Sequence, residues 1–202
     1  VKVAGIERAA RRLFEARQHA IRLLDLEVVL DVPAFEREWS LFLSAINSVH
    51  EILKTSARSN AKCRQWMDIK DKNFIRKDPL LKYLLHARGV DFHGLESGAS
   101  PDVKGADYVG YVENFPMSFA IRDEHGVVHH QGGGGAIQLA GEVTSFSFSY
   151  KLVPVTDERH GNVFDPPTFH LGLPVEDSKP TTVAKLALDY YSSLLEEAAT
   201  MV

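Results

Sequence analysis

Cysteine is nearly absent from this 202-residue chain: Cys63 is the only one. No internal disulfide can form and no paired-cysteine metal knuckle exists, so the thiol is expected to be buried or half-buried. Apolar runs of bilayer length are also missing, and no transmembrane helix is expected. Residues Val1 to Phe14 are charged and amphipathic, without the apolar core and small-residue cleavage site of a secretory signal. These absences together predict a cytoplasmic protein with no membrane partner. There is no GxSxG elbow for a nucleophilic serine. The glycines Gly132–Gly135 are followed by neither Lys-Ser/Thr nor a helix start. A phosphate cradle needs backbone amides converging at a helix N-terminus, so a hairpin loop is expected instead.

What the chain does have is an ordinary globular composition and an uneven charge. Its 45% hydrophobic and 25% charged residues suffice for one domain or two small ones and argue against disorder. The net charge is −4. Between Lys54 and Arg88, however, ten Lys/Arg stand against three acids, a local surplus of seven, which leaves the remainder strongly acidic. Such a run either solvates a helix face or draws an anionic partner.

Apolar periodicity organises the first half into helices. Ile6, Ala9, Leu13, Ala16, Ala20, Leu23 and Leu24 recur at three- and four-residue steps, predicting a helix over about 5–30. Asp31 and Pro33 mark a new start, because proline fits a first turn but not a helix interior. Phe35, Trp39, Phe42, Ile46, Val49 and Leu53 then form a stripe running to about Ser59. Two long helices joined so tightly should lie antiparallel, with Phe35 to Val49 buried against Leu13, Ala20 and Leu24. Ser59–Asn60 can cap a shorter helix through Cys63, Trp66, Met67 and Ile69, followed by a charged connection at Asp71–Lys77. Asp78 can cap a helix at Pro79–Leu85, with Leu80, Leu81, Leu84 and Leu85 as core candidates and Gly89 and Gly94 bracketing its end.

After Leu95 the period changes to two. Strands are expected at 108–115, 118–122, 136–139 and 143–154, most clearly where Phe146, Phe148 and Tyr150 alternate with serines. Glu124–His125–Gly126 reads as a turn and Asp157–Pro167 as irregular. A last helix should begin near Thr181, with Val183, Leu186, Ala187, Tyr190, Tyr191, Leu194 and Leu195 on its apolar face. The fold class predicted is α+β. An N-terminal antiparallel helical bundle (1–95) is completed by a C-terminal helix (181–202), and an antiparallel β-rich segment (96–180) lies between them.

Two histidine patterns bear on chemistry. His125, His129 and His130 fall in a turn and a strand, where 129 and 130 point to opposite sides, and no acid or cysteine joins them. His160 and His170 have no recognisable partner. The segment Leu80 to His93 is different. It places Arg88 near the end of an amphipathic helix and His93 five residues later, after two long helices and a basic run.

This arrangement resembles the R-x4-6-H motif of the HEPN superfamily, over roughly residues 5–95 and the last helix. The resemblance implies a small helical bundle, commonly dimeric, and in many members a metal-independent endoribonuclease. The family often has Asn, Asp or His directly after the arginine; here that residue is Gly89. Carried over, Arg88 would hold phosphate charge through its forked donors, and His93 would act as acid or base near neutral pH. No metal or other cofactor is implied. On a straight helix, five residues turn by about 140°, so either Gly89 breaks the helix or two subunits bring their motifs together. The structural alternative is a surface salt bridge for Arg88 and a helix-end role for His93. The expectation is thus a dimeric HEPN-like RNA-cleaving or RNA-binding protein. Its rival is a non-catalytic interaction or regulatory module, of toxin–antitoxin type or similar, with a protein partner.

Overall fold

The structure, a computed structural model, describes residues 1–28, 31–92, 99–108, 119–122, 128–131, 143–157 and 160–201. It divides into two compact units, one of residues 1–100 with 150–202 and one of residues 101–149.

The larger unit is built on two long helices, α1 (Val3–Leu26) and α2 (Val32–Ala57). The Asp31 carboxylate accepts the Ala34 amide at 3.0 Å and Pro33 sits in the first turn, so α2 starts where capping chemistry places it. The helices run antiparallel. His19 meets Glu38 near one end of the pair, and Gly5 lies against Ser56 at the other. A Cβ at Gly5 would collide with Ser56 Oγ and Cβ, so only glycine permits this approach. Gly5→Leu should therefore destabilise the fold by about 1–3 kcal/mol through overpacking, read as a lower urea midpoint.

Phe35, Trp39, Phe42, Ile46 and Val49 are fully buried, together with Leu13 and Ala20. Leu24 is not: it is exposed, contrary to expectation. It follows Leu23 by one residue, a turn of about 100°, and Leu23 holds the place in the buried stripe. The helix also stops at Leu26 rather than near residue 30.

Asn60 caps α3 (Ala61–Lys70) through the Lys62 and Cys63 amides, and Cys63 is buried. The connection after it is a π-helical turn, Asp71–Ile75, where a plain charged link was expected. Next comes α4 (Pro79–Phe92), which passes straight through Gly89. The helix runs beyond the expected Pro79–Leu85, and its end at Phe92 falls between Gly89 and Gly94; an isolated helical glycine costs only about 1 kcal/mol against alanine.

The C-terminal part of this unit begins within β4 (Val143–Leu152). Tyr150 stacks on Phe35 with ring centroids 3.6 Å apart, and Tyr83 donates to the Val153 carbonyl at 2.7 Å. Two short antiparallel hairpins follow, β5 (Val155–Asp157) with β6 (Asn162–Phe164), and β7 (Phe169–His170) with β8 (Leu173–Pro174). The first replaces the irregular stretch expected at 157–167; strands of three residues are too short to show a period. The last helix, α5 (Pro180–Ala199), packs on α1 and α2 through Val183, Ala184, Ala187, Tyr191 and Leu194.

In the smaller unit, β1 (Ala99–Tyr108) pairs with β4. A hairpin of β2 (Phe119–Arg122) and β3 (Val128–Gln131) places Phe119 opposite Gln131. Most of the strand expected at 108–115, the strand at 136–139, the turn at 124–126 and the glycine loop at 132–135 lie outside the described residues. The protein is of the α+β class. No helix among the described residues is long and apolar enough to cross a membrane.

Candidate functional site

Helix α4 organises the polar chemistry of the larger unit. At its N-terminus, Asp78 is buried and used three times over. One carboxylate oxygen accepts the Leu81 amide at 3.0 Å and meets His170 Nδ1 at 3.0 Å. The other accepts the Leu171 amide at 2.6 Å. Burial pushes the Asp78 pKa up, but the bonds from His170 and the two amides outweigh it and hold the carboxyl below its ordinary value. Leu171 supplies its amide from the left-handed region, at φ 50°, next to Gly172 at φ 82°. Two successive residues at positive φ match the tight turn that joins β7 to β8. A leucine there is strained, and the bond to Asp78 helps hold it.

A second carboxylate, Asp71, draws in the opposite charges of its surroundings. Lys54 Nζ lies at 3.2 Å, Arg76 Nε at 3.0 Å and His50 Nε2 at 3.1 Å, the last in ion-pair range but poorly aligned for a hydrogen bond. Burial again raises the Asp71 pKa while Lys54, His50 and Arg76 lower it further, so it stays ionised. His50 is deeply buried; desolvation dominates and lowers its pKa despite Asp71. Nearby, the Tyr190 ring meets His170 edge-on at 6.0 Å. Its hydroxyl is buried without a hydrogen-bond partner among the described residues, and its pKa is raised chiefly by burial.

Both carboxylates are therefore committed to structural partners. Asp78 binds α4 to the β7–β8 hairpin, and Asp71 binds the π-helical turn to α2. Sequence reasoning missed the pairing of Asp78 with His170, which are 92 residues apart and share no local pattern. It also missed His160, whose Nδ1 lies 2.8 Å from Asp157. Here a signal existed, since acid and histidine stand three apart. Among the described residues no three His, Cys, Asp or Glu side chains converge as metal ligands. His129 and His130 lie on β3, and His125 is outside the described residues.

The other end of α4 carries Arg88. Leu80, Leu81, Tyr83, Leu84 and Ala87 bury one side of the helix, and Asn47 of α2 reaches the Leu84 carbonyl at 3.4 Å. Arg88 stands on the exposed side of this fixed helix. Its motif partner His93 lies outside the described residues. The basic run before it is partly consumed: Lys54 and Arg76 serve Asp71, and Lys70 pairs with Glu197. Arg58, Lys62, Arg64, Lys72 and Lys77 are exposed. Comparisons with protein-family models, curated proteins and solved structures find no match for this chain.

Proposed function

We propose that this chain is a HEPN-like protein that cleaves or binds RNA without a metal, acting as a dimer in the cytoplasm. The observation that carries the reading is the placement of Arg88, exposed on a helix whose opposite side is locked into the bundle. A guanidinium on so rigid a support can clamp a phosphate, and its charge offsets that developing on the phosphorane when a 2′-hydroxyl attacks. His93 takes or returns the proton. The exposed lysines and arginines of the preceding run favour approach of an anionic strand. Helix α4 continues through Gly89 and ends at Phe92; motifs of two copies meeting at one phosphate would bring Arg88 and His93 together.

The test is RNA cleavage by purified protein in EDTA. Arg88→Ala and His93→Ala should each slow cleavage at least about a hundredfold, with Arg88→Ala still folding to the wild-type circular dichroism spectrum. Cleavage that survives both substitutions overturns the assignment. Absence of both cleavage and RNA binding leaves the second reading, a non-catalytic interaction module. One observation favours that alternative: the exposed apolar stripe along α1.

A further inference from the structure

Two histidines, a lysine and an aspartate gather where the β5–β6 hairpin lies on α4, away from the joints at Asp71 and Asp78. Lys82 and His86 stand four residues apart on α4, so they share one face of the helix. In the hairpin, Val155 pairs with Phe164 and Asp157 with Asn162, and residues that are opposite or two apart share a face. Val155 is buried, and Asp157 and Phe164 are half-buried on the same side; Thr156 and Val163 are exposed on the other. Phe164 ties the two elements together. The His86 ring stacks on it with centroids 3.6 Å apart, and Lys82 Nζ lies 5.1 Å from its centroid. At the turn of the hairpin, Asp157 meets His160 Nδ1 at 2.8 Å, which leaves Nε2 on the far side of an exposed ring.

The cluster holds more donors than its acceptor can use. Asp157 is committed to His160. Lys82 is exposed without a carboxylate partner among the described residues, and no hydrogen bond among them holds either ring nitrogen of His86. Burial lowers the His86 pKa most; Asp157 raises it, and the charges of Lys82 and His160 lower it again.

We propose that Lys82, His86 and His160 hold a phosphate group where the hairpin meets α4. An ammonium and two imidazoles are separate donors on three side chains. A phosphate offers its oxygens to several donors at once, whereas a carboxylate suits a single guanidinium fork. Asp157 keeps the His160 ring in a fixed orientation. A bound anion favours the imidazolium of His86, which Lys82 and His160 oppose in its absence. Binding therefore takes up a proton and tightens as pH falls.

The site does not rest on the RNA reading. Arg88 follows His86 by two residues, a turn of about 200°, and so points to a different side of α4. The phosphate belongs either to an RNA strand or to a small phosphate ester.

Histidine side-chain NMR during titration with inorganic phosphate reads the site. The His86 and His160 signals should move saturably, with affinity about tenfold higher at pH 6 than at pH 8. Lys82→Ala, at an exposed position that the fold tolerates, should weaken binding about tenfold, and His160→Gln should do the same. Lys62→Ala, which removes an exposed cation on α3, should leave binding unchanged. The proposal is overturned by signals that do not move saturably, or that move equally in sodium chloride of the same ionic strength. It is overturned too if Lys62→Ala weakens binding as much as Lys82→Ala. Once phosphate binds, weaker RNA binding by Lys82→Ala assigns the phosphate to a strand; unchanged or absent RNA binding assigns it to a small ester. Loss of RNA cleavage on Arg88→Ala with phosphate binding intact bears only on the RNA reading. A protein that cleaves RNA while His86 and His160 ignore phosphate refutes this site alone.

Discussion

Trp39→Ala should lower the unfolding free energy by about 3–5 kcal/mol, the range for removing a large aromatic from a core. Trp39 is fully buried in the N-terminal third of α2, and its ring lies 5.5 Å from that of Phe42. The same helix is covered by α1, α4 and α5, so the space left by the indole is walled by several elements and cannot collapse by moving one of them. Urea unfolding followed by far-ultraviolet circular dichroism measures the loss. Trp39→Phe is informative beside it. The indole nitrogen is buried without a hydrogen-bond partner among the described residues, so removing it relieves an unmet donor while most of the apolar contact remains. Its cost should be under about 1.5 kcal/mol. Ser44→Ala, on the exposed face of α2, should change stability by no more than about 0.5 kcal/mol. Equal losses at 39 and 44 would refute the placement of the core.

The ease with which α2 is read from sequence has a physical cause. Its apolar residues are large, recur at helical steps, and follow a cap whose chemistry is local: Asp31, Pro33 and the Ala34 amide are neighbours. Burial of Phe35, Trp39, Phe42, Ile46 and Val49 follows almost directly. On α1 the same logic fails at Leu24, because two adjacent leucines cannot share one narrow stripe and composition does not say which turns inward. Gly89 and Gly94 bracket the end of α4 at Phe92 without fixing it. A glycine is permitted to end a helix but not compelled to, and at Gly89 a Cβ would meet nothing within 4 Å. The polar clusters are the least legible part. Asp78 shows itself as a cap, yet its pairing with His170 depends on where a hairpin near residue 171 comes to rest. The two ends of that contact are ordered by tertiary packing alone. Arg88 stands out by spacing alone, and it lies on the exposed side of α4; His93 lies outside the described residues.

The joint at Asp78 should also govern acid stability. Replacing Asp78 by alanine removes a helix cap, leaves the Leu171 amide without its acceptor at a left-handed residue, and strips His170 of its partner. Loss of the cap and of the buried bonds together should cost about 2–5 kcal/mol. Asp78→Asn keeps an acceptor for the Leu81 amide but cannot serve the amide and the imidazole as a carboxylate does, so about 1–3 kcal/mol is expected. The pH dependence follows from the lowered pKa of Asp78 in the folded chain. The unfolded chain binds its proton at the ordinary aspartate value, about pH 4. Above that value the stabilisation is fully present; it is lost as pH falls through the depressed folded-state value, because only the unfolded form has gained a proton in between. Asp71 and Glu38 are shifted in the same direction, so wild-type stability should decline on acidification below about pH 4. Asp78→Asn has no carboxyl to titrate and should show a shallower decline over that interval. Denaturant unfolding of both proteins across the acid range measures the two slopes. Parallel slopes would mean that the Asp78 carboxyl titrates alike in folded and unfolded chains, and that its bonds to His170 and Leu171 do not hold in solution.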